Sequence, residues 1–296
     1  MAAATGVTLS ASLTGIVDDI RVRAHKFMAH KGVMKGLVTP VGVGQKGSSV
    51  TEPYWDPTSR TGVAATEGEI FTQFSTYVPT TRSYAATEWA DGTILTYDDV
   101  EDAKESVRDE HSRAHGLVHA KKVEQKLTAV FASFTTNTIT ATASTGLTYA
   151  KVRAAVTKVK SQSQAFDGPF NLVVSDNVYS YTQANLTQNA QYGPLGSLGN
   201  KLLDAYYAGN IGNDVRVFYS NLGIPVPTSA TDQKATVCGL FTKDAIGLFM
   251  PRDFLLKVDE NIKLRGYELV STHRAGGRVR LEKAGVKITA YGVSPS

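Results

Sequence analysis

Three histidines, His111, His115 and His119, stand four residues apart in the stretch DEHSRAHGLVHAKK, which runs from Asp109 to Lys122. Four-residue spacing stacks side chains along one flank of a helix, and imidazole is a favoured zinc ligand. Each step turns about 40°, so two adjacent members can share an ion while all three span about 80°. A catalytic zinc would add a carboxylate or a third histidine and keep one coordination position open. Here Glu110 precedes His111, Glu124 sits five residues past His119, and no HExxH is present. One reading is a metal-dependent enzyme that uses His111 and His115. The other is a polar helix surface or a contact between subunits.

No other stretch nominates a catalytic centre, and no cofactor is expected. GPLGSLGNK, from Gly193 to Lys201, fails the P-loop spacing: Asn200 separates Gly199 from Lys201, and Leu202 follows the lysine. It reads as a flexible loop. There is no G-x-S-x-G elbow and no G-x-G-x-x-G after a strand. The single Cys238 excludes an internal disulfide and a multi-cysteine metal cluster. Its apolar setting, ATVCGLF, suits a buried small residue better than a nucleophile.

The elements that would position these residues come next. With 296 residues, 42% of them hydrophobic and 20% charged, the chain has ample material for a core. No apolar run approaches the ~20 residues of a membrane span, and no membrane partner is expected. The N-terminal stretch lacks the pattern of a secretion signal. Residues 1–46 carry Arg21, Arg23, Lys26, Lys31, Lys35 and Lys46 against Asp18 and Asp19, which accounts for the whole net charge of +4. That arm holds one amphipathic helix, from Leu13 to Met28, and then a glycine-punctuated connection expected to be extended and partly mobile. Its cations can meet phosphates in a salt-dependent way, or simply be solvated.

From Val50 to Asp91 the chain is rich in Thr, Ser, Tyr and Phe with short alternating runs, which predicts a long two-stranded excursion. Its apolar content is too thin for a core of its own. Residues 97–134 contain no proline and predict a helix of roughly 35 residues and about 50 Å, acidic at its start and basic toward its end. Gly116 is its weak point. Thr96 and Asp99 resemble a capping box. Val100, Ala103, Val107, Ala114 and Val118 form one apolar stripe, and Val123, Leu127, Val130 and Phe134 form another on nearly the opposite side. The helix is therefore expected to change its buried face partway. Residues 148–250 read as mixed α/β, with FNLVVSD a buried strand and NVYSYTQANL a helix. The tail alternates in strand fashion, with Gly276 and Gly277 expected at a hairpin turn.

This order of elements resembles the major capsid proteins of tailed double-stranded DNA phages, the Hong Kong 97-type fold, which encapsulin shells share. ATEGEI, from Ala65 to Ile70, resembles the Glu-Gly segment of the extended E-loop, and the stretch from Tyr97 to Phe134 resembles the spine helix. GNDVRVFYSNLGIPVPTSA and GLFTKDAIGLFM resemble A-domain passages, and GGRVRLEKAGVKITAY resembles the closing P-domain strands. The resemblance implies an α+β fold divided into an arm (1–46), an E-loop (47–95), a P-domain with spine helix (96–147), an A-domain (148–250) and closing P-domain strands (251–296).

It also implies a non-enzymatic coat subunit of the virion capsid, assembled in the host cytoplasm into hexamers and pentamers around double-stranded DNA. Portal and separate scaffolding proteins are implied partners, with a decoration protein in part of the family. Arg21, Arg23, Lys26, Lys31 and Lys35 would face DNA. Glu67, Gly68, His111, His115 and His119 would meet neighbouring subunits, with assembly sensitive to pH near the histidine pKa. No lysine lies between Lys46 and Lys104, so the E-loop crosslink of some members is not expected. The scaffolding segment that precedes the arm in other members is expected to have been removed or to be a separate protein. The alternative within the fold is an encapsulin-type shell around enzyme cargo.

Overall fold

In the computed structural model the described residues are 18–28, 32–54, 67, 80–97, 105–141, 146–162, 166, 168–179, 207–211, 215–224 and 234–292. Helix α1 covers 18–28 and α2 Met34–Leu37. Strands β1 (Thr39–Val41), β2 (Ser49–Tyr54), β3 (Thr80–Ala85) and β4 (Thr87–Thr96) precede the long helix α3 (Glu105–Thr128), which a 3-10 turn continues over Ala129–Ser133. Then come β5 (Thr138–Thr140), α4 (Tyr149–Lys160), β6 (Phe170–Val174), β7 (Tyr207–Ile211), β8 (Val215–Tyr219) and β9 (Lys234–Phe241). Strands β10 (Ile246–Asn261), β11 (Gly266–Val279) and β12 (Gly285–Gly292) close the order.

Two sheets share the long helix. The first has the order β1-β10-β11-β4, with β1 parallel to β10 and the other pairs antiparallel. The second has the order β5-β12-β9-β6-β8-β7. Strand β6 is buried at all five positions, as expected for a strand covered on both faces. Strands β2 and β3 form a separate antiparallel ribbon. The base of this ribbon is tied down by Tyr84, which lies under Gly247 and hydrogen-bonds Glu52 at 3.2 Å. Arg280 reaches the same carboxylate at 3.1 Å and Asp244 at 3.1 Å.

Several expectations are corrected by packing. The connection after α1 is not simply extended: it forms α2, and β1 enters the first sheet. Gly276 and Gly277 lie inside β11 rather than at a turn. A Cβ at Gly276 would sit 2.0 Å from the Ala85 carbonyl oxygen, and one at Gly277 would sit 2.8 Å from Leu127. These glycines therefore admit close neighbours, as glycine does within strands. The turn between β10 and β11 falls instead on a 3-10 segment, Ile262–Leu264, followed by Arg265 at φ 49°. A domain boundary at 250 falls within β10, and β12 joins the second sheet while β10 and β11 belong to the first. The Thr96–Asp99 pair is not a described cap: Thr96 ends β4, and Asp99 lies outside the described residues. NVYSYTQANL is helical over 177–179, and its remainder lies outside them, as does GPLGSLGNK.

The helix keeps one buried face. Ser112, His115, Gly116, His119, Ala120, Val123, Glu124 and Leu127 point inward, while Ala114 is exposed and Val118 half-buried. Apolar periodicity misplaces Ala114 and Val118 because the inward residues beside them are polar; Val100 and Ala103 of that stripe lie outside the described residues. The second half is apolar and continues through Phe131 and Phe134. Those rings occupy the space above Gly239 of β9 and Gly285 of β12, where an added Cβ would approach to 2.5 and 2.3 Å. Each fully buried aromatic contributes roughly 1.5–3 kcal/mol, so this end of the helix is fixed by hydrophobic packing.

Gly116 is where α1 crosses α3. A Cβ there would lie 2.6 Å from the Ala24 carbonyl oxygen and 2.8 Å from Phe27 Cβ. Glycine to alanine in a helix ordinarily gains up to about 1 kcal/mol. Here overpacking reverses the sign: Gly116→Ala is expected to cost about 1–3 kcal/mol, measured by denaturant unfolding. Tryptic cleavage at Arg21, Arg23 and Lys26 should accelerate as α1 is pushed off.

Candidate functional site: a buried histidine seam and the surfaces of the subunit

The inward side of α3 faces β4 and β11 through a polar seam. Strand alternation sets it up: Trp89, Asp91 and Thr93 on β4 pair with His273, Ser271 and Leu269 on β11, and β11 buries Leu269, Ser271, His273 and Ala275 in alternation. Thr93 Oγ1 lies 3.2 Å from His111 Nδ1 and 2.9 Å from His115 Nε2. Ser271 Oγ lies 2.8 Å from both His115 Nδ1 and His119 Nε2. Asp91 Oδ2 stands 3.0 Å from His115 Nδ1.

One assignment of protons satisfies these contacts together. Ser271 donates to the Asp91 carbonyl oxygen at 3.2 Å and accepts from His115 Nδ1–H and His119 Nε2–H. Thr93 accepts from His111 Nδ1–H and donates to His115 Nε2. Each hydroxyl then uses its one proton; Ser271 accepts twice and Thr93 once. His273 Nε2 meets Met250 Sδ at 3.3 Å; its ring stacks on Trp89 and lies edge-on to His119, with centroids 5.8 Å apart in each case. The Nδ1 atoms of His119 and His273 are buried without a hydrogen-bond partner.

Burial acts on these imidazoles in one direction. It holds His115 below the ordinary histidine range despite the pull of Asp91, holds His119 below it likewise, and pushes His273 down to about 4. His115, His119 and His273 are therefore neutral at pH 7.

The structure corrects the placement of His115 and His119 at a neighbouring chain: both are fully buried and bonded within their own subunit. His111 is half-buried. His111 and His115 converge on a threonine hydroxyl, and both nitrogens of His115 have partners in the chain. Among the described residues no three of His, Cys, Asp and Glu gather as a metal site. Cys238 is buried in β9, and burial raises its thiol to about 12. Ser271, Thr93, Asp91 and His273 were not singled out from the sequence. Their signal was the polar residues standing in the inward phase of YELVSTH and DGTILT.

A second buried polar group, Glu124, accepts from the Met34 backbone N–H at 2.7 Å and from Ser220 Oγ at 2.8 Å. Burial raises its pKa against the opposing effect of these bonds. It ties α2, the long helix and the end of β8 together. Among the arm cations, Arg21 pairs with Asp18 at 3.2 Å; Arg23 pairs with Asp19 at 2.9 Å and also with Asp109; Lys35 lies 3.9 Å from Asp253. Lys26 is exposed, and Lys31 lies outside the described residues. Glu67 is exposed in a turn, and Gly68 lies outside the described residues.

A family model described as phage capsid protein matches residues 79–288, which take in the ribbon's return strand, α3 and strands of both sheets. The chain belongs to the phage capsid protein family. Solved structures agree on the fold of this capsid subunit, which is the Hong Kong 97-type. The capsid of Ralstonia phage GP4 aligns with a TM-score of 0.62 at 11% identity, over 90% of this chain and 93% of that one. The capsid of cyanophage P-SCSP1u aligns with a TM-score of 0.60 at 13% identity, over 87% and 88%. The virus-like particle from Pyrococcus furiosus aligns with a TM-score of 0.58 at 10% identity, over 92% and 98%. No curated protein matches the chain. The capsid subunit is a structural protein, and its seam is part of its framework.

Ser271 is the acceptor on which two imidazole N–H groups converge. Replacing it with alanine leaves His119 Nε2–H buried without a partner, at a cost of about 1–3 kcal/mol. Ser271→Ala is therefore expected to lower the unfolding midpoint in urea. An unchanged midpoint would remove Ser271 from the role described.

Proposed function

We propose that this coat protein assembles into hexamers and pentamers that tile an icosahedral shell around packaged double-stranded DNA in the virion. The observation that carries the reading is the family match, which spans most of the chain and runs through the helix shared by both sheets. The β2–β3 ribbon supports it: its base is pinned by Tyr84, Glu52 and Arg280, and an excursion with little core of its own suits packing on an adjacent copy. Glu67, exposed in a turn, and the half-buried His111 are the candidate contacts between copies.

The encapsulin reading shares the fold, since the Pyrococcus furiosus particle aligns about as well as the phage capsids do. Family membership favours the phage reading. In the arm, Arg23 and Lys35 engage carboxylates of the same chain, which leaves Lys26 and the surface-paired Arg21 as the better-placed phosphate contacts. Such a surface pair is worth little and yields readily to a stronger partner. Assembly in the host cytoplasm with a portal, a separate scaffolding protein and, in some particles, a decoration protein belongs to the same proposal.

Negative-stain electron microscopy of the chain expressed alone is the direct test. Closed shells, tubes or ring-shaped capsomers are expected. A monodisperse monomer that stays monomeric when a scaffolding protein is supplied would overturn the proposal. Nuclease-protected DNA in particles assembled during infection separates a genome container from an enzyme container.

A further inference from the structure

The two halves of α3 are held by different forces. From Val123 onward, Leu127, Val130, Phe131 and Phe134 are buried in apolar surroundings. Between His111 and His119 the inward side is imidazole and hydroxyl, and the contacts are hydrogen bonds whose pattern requires neutral rings. We infer that this seam is an acid-opened latch: neutral His115, His119 and His273 hold the first half of α3 on β4 and β11, and their protonation releases that half while the phenylalanine end stays seated. The consequence for a shell rests on the proposed function, but the latch belongs to the single subunit.

The geometry supplies the reason. A proton added to His115 Nε2 turns an acceptor into a donor facing the Thr93 hydroxyl, so Thr93 must turn its own proton away and lose the bond it donates. A proton on Nδ1 of His119 or of His273 places a cationic N–H in a buried position where neither atom has an acceptor, and an unpaired buried charge is strongly unfavourable.

The charged and titratable groups around the seam cannot absorb more than the first proton. On α3 they are His111 and the exposed Arg113. Strand β4 offers Asp91, which stands against His115. From β10, Asp253 favours a charged His273, but its carboxylate is shared with His25 of α1 at 3.2 Å and with Lys35 of α2. Lys35 itself opposes charge on His273. Arg23 of α1 is held by Asp19 and Asp109. Asp91 can thus offset one imidazolium, while later protons on His119 and His273 add repulsion between the two rings.

The direction of the pH dependence follows by linkage. All three rings titrate below the ordinary value of about 6.5 when folded, so between the folded and unfolded values the open state binds more protons. Latch stability is complete above pH 6.5 and is lost as pH falls toward the folded values, about 4 for His273.

Hydrogen–deuterium exchange of the full-length protein, in whatever assembled form it takes, tests this at pH 7.5, 6.0 and 5.0 with protection factors corrected for intrinsic rates. Amides 109–120 are expected to lose at least about tenfold in protection by pH 5.0, while 123–134, β9 and β12 keep theirs. Flat protection across α3 overturns the latch, and so does simultaneous loss over both sheets. Emission of Trp89, isolated with Trp55→Phe, should fall over the same range as its stacked partner His273 becomes charged. His119→Phe should move the opening to lower pH by about half a unit or more. An unchanged midpoint removes that ring from the latch; a variant that does not fold leaves the wild-type profile to decide. Microscopy at pH 7.5 separates the two proposals: opening without particles even when a scaffolding protein is supplied sinks the shell, and particles with flat α3 protection sink the latch.

Discussion

The packing of one helix against two sheets is the constraint on which this subunit depends. The helix lies on β4 and β11, and the 3-10 segment that follows it lies on β9, β11 and β12. The helix of 24 residues, about 36 Å long, together with the 3-10 segment that continues it, therefore bridges the two sheets. Small residues let it approach closely. Gly116 admits α1 on one side; Gly277, Gly239 and Gly285 let the helix and its phenylalanine rings reach strand backbones.

The stabilisation along that helix is uneven. A neutral hydrogen bond contributes about 0.5–1.5 kcal/mol net, less than a buried phenylalanine, and an unpaired buried nitrogen subtracts. The apolar end therefore dominates the energy, and the polar end sets register. Hydroxyls at Thr93 and Ser271 accept or donate only where the histidines meet them, so a shift of the helix by one residue would break every contact in the seam. An apolar interface would tolerate such a slip more readily. Glu124 extends the same logic to α2 and β8, whose positions are specified by bonds to one buried carboxylate.

Much of the architecture was legible in the sequence because it is written in periodicity. The long helix, the buried strand within FNLVVSD, the paired ends of the polar ribbon and the alternating tail appear within the spans their patterns gave, although Thr87–Asp91 of the expected excursion belongs to β4 of the first sheet. The reading failed where a polar residue occupies the inward phase. His115 and His119 look like a surface row to any hydrophobicity count, and only the partners Ser271 and Thr93, 152 and 22 residues away in sequence from the rings they meet, make them interior. Gly276 and Gly277 misled for a related reason: a glycine pair signals a turn locally, but its use here is the close passage of Ala85 and Leu127, which no local pattern records. Strand β1 was missed because three residues are too few to carry an alternation.

Strand β12 carries a consequence for biosynthesis. It lies between β5 and β9 in the second sheet, pairing Thr138–Thr140 in parallel and Lys234–Phe241 in antiparallel fashion. Lys287 stands 149 positions after its partner Thr138, and without β12 strand β5 has no hydrogen-bonded neighbour in that sheet among the described residues. Long-range pairing of this kind forms late and slowly. A nascent chain must therefore hold β5 and β9 unjoined until β12 has been made, and a chain cut before β12 would lack the strand that joins them.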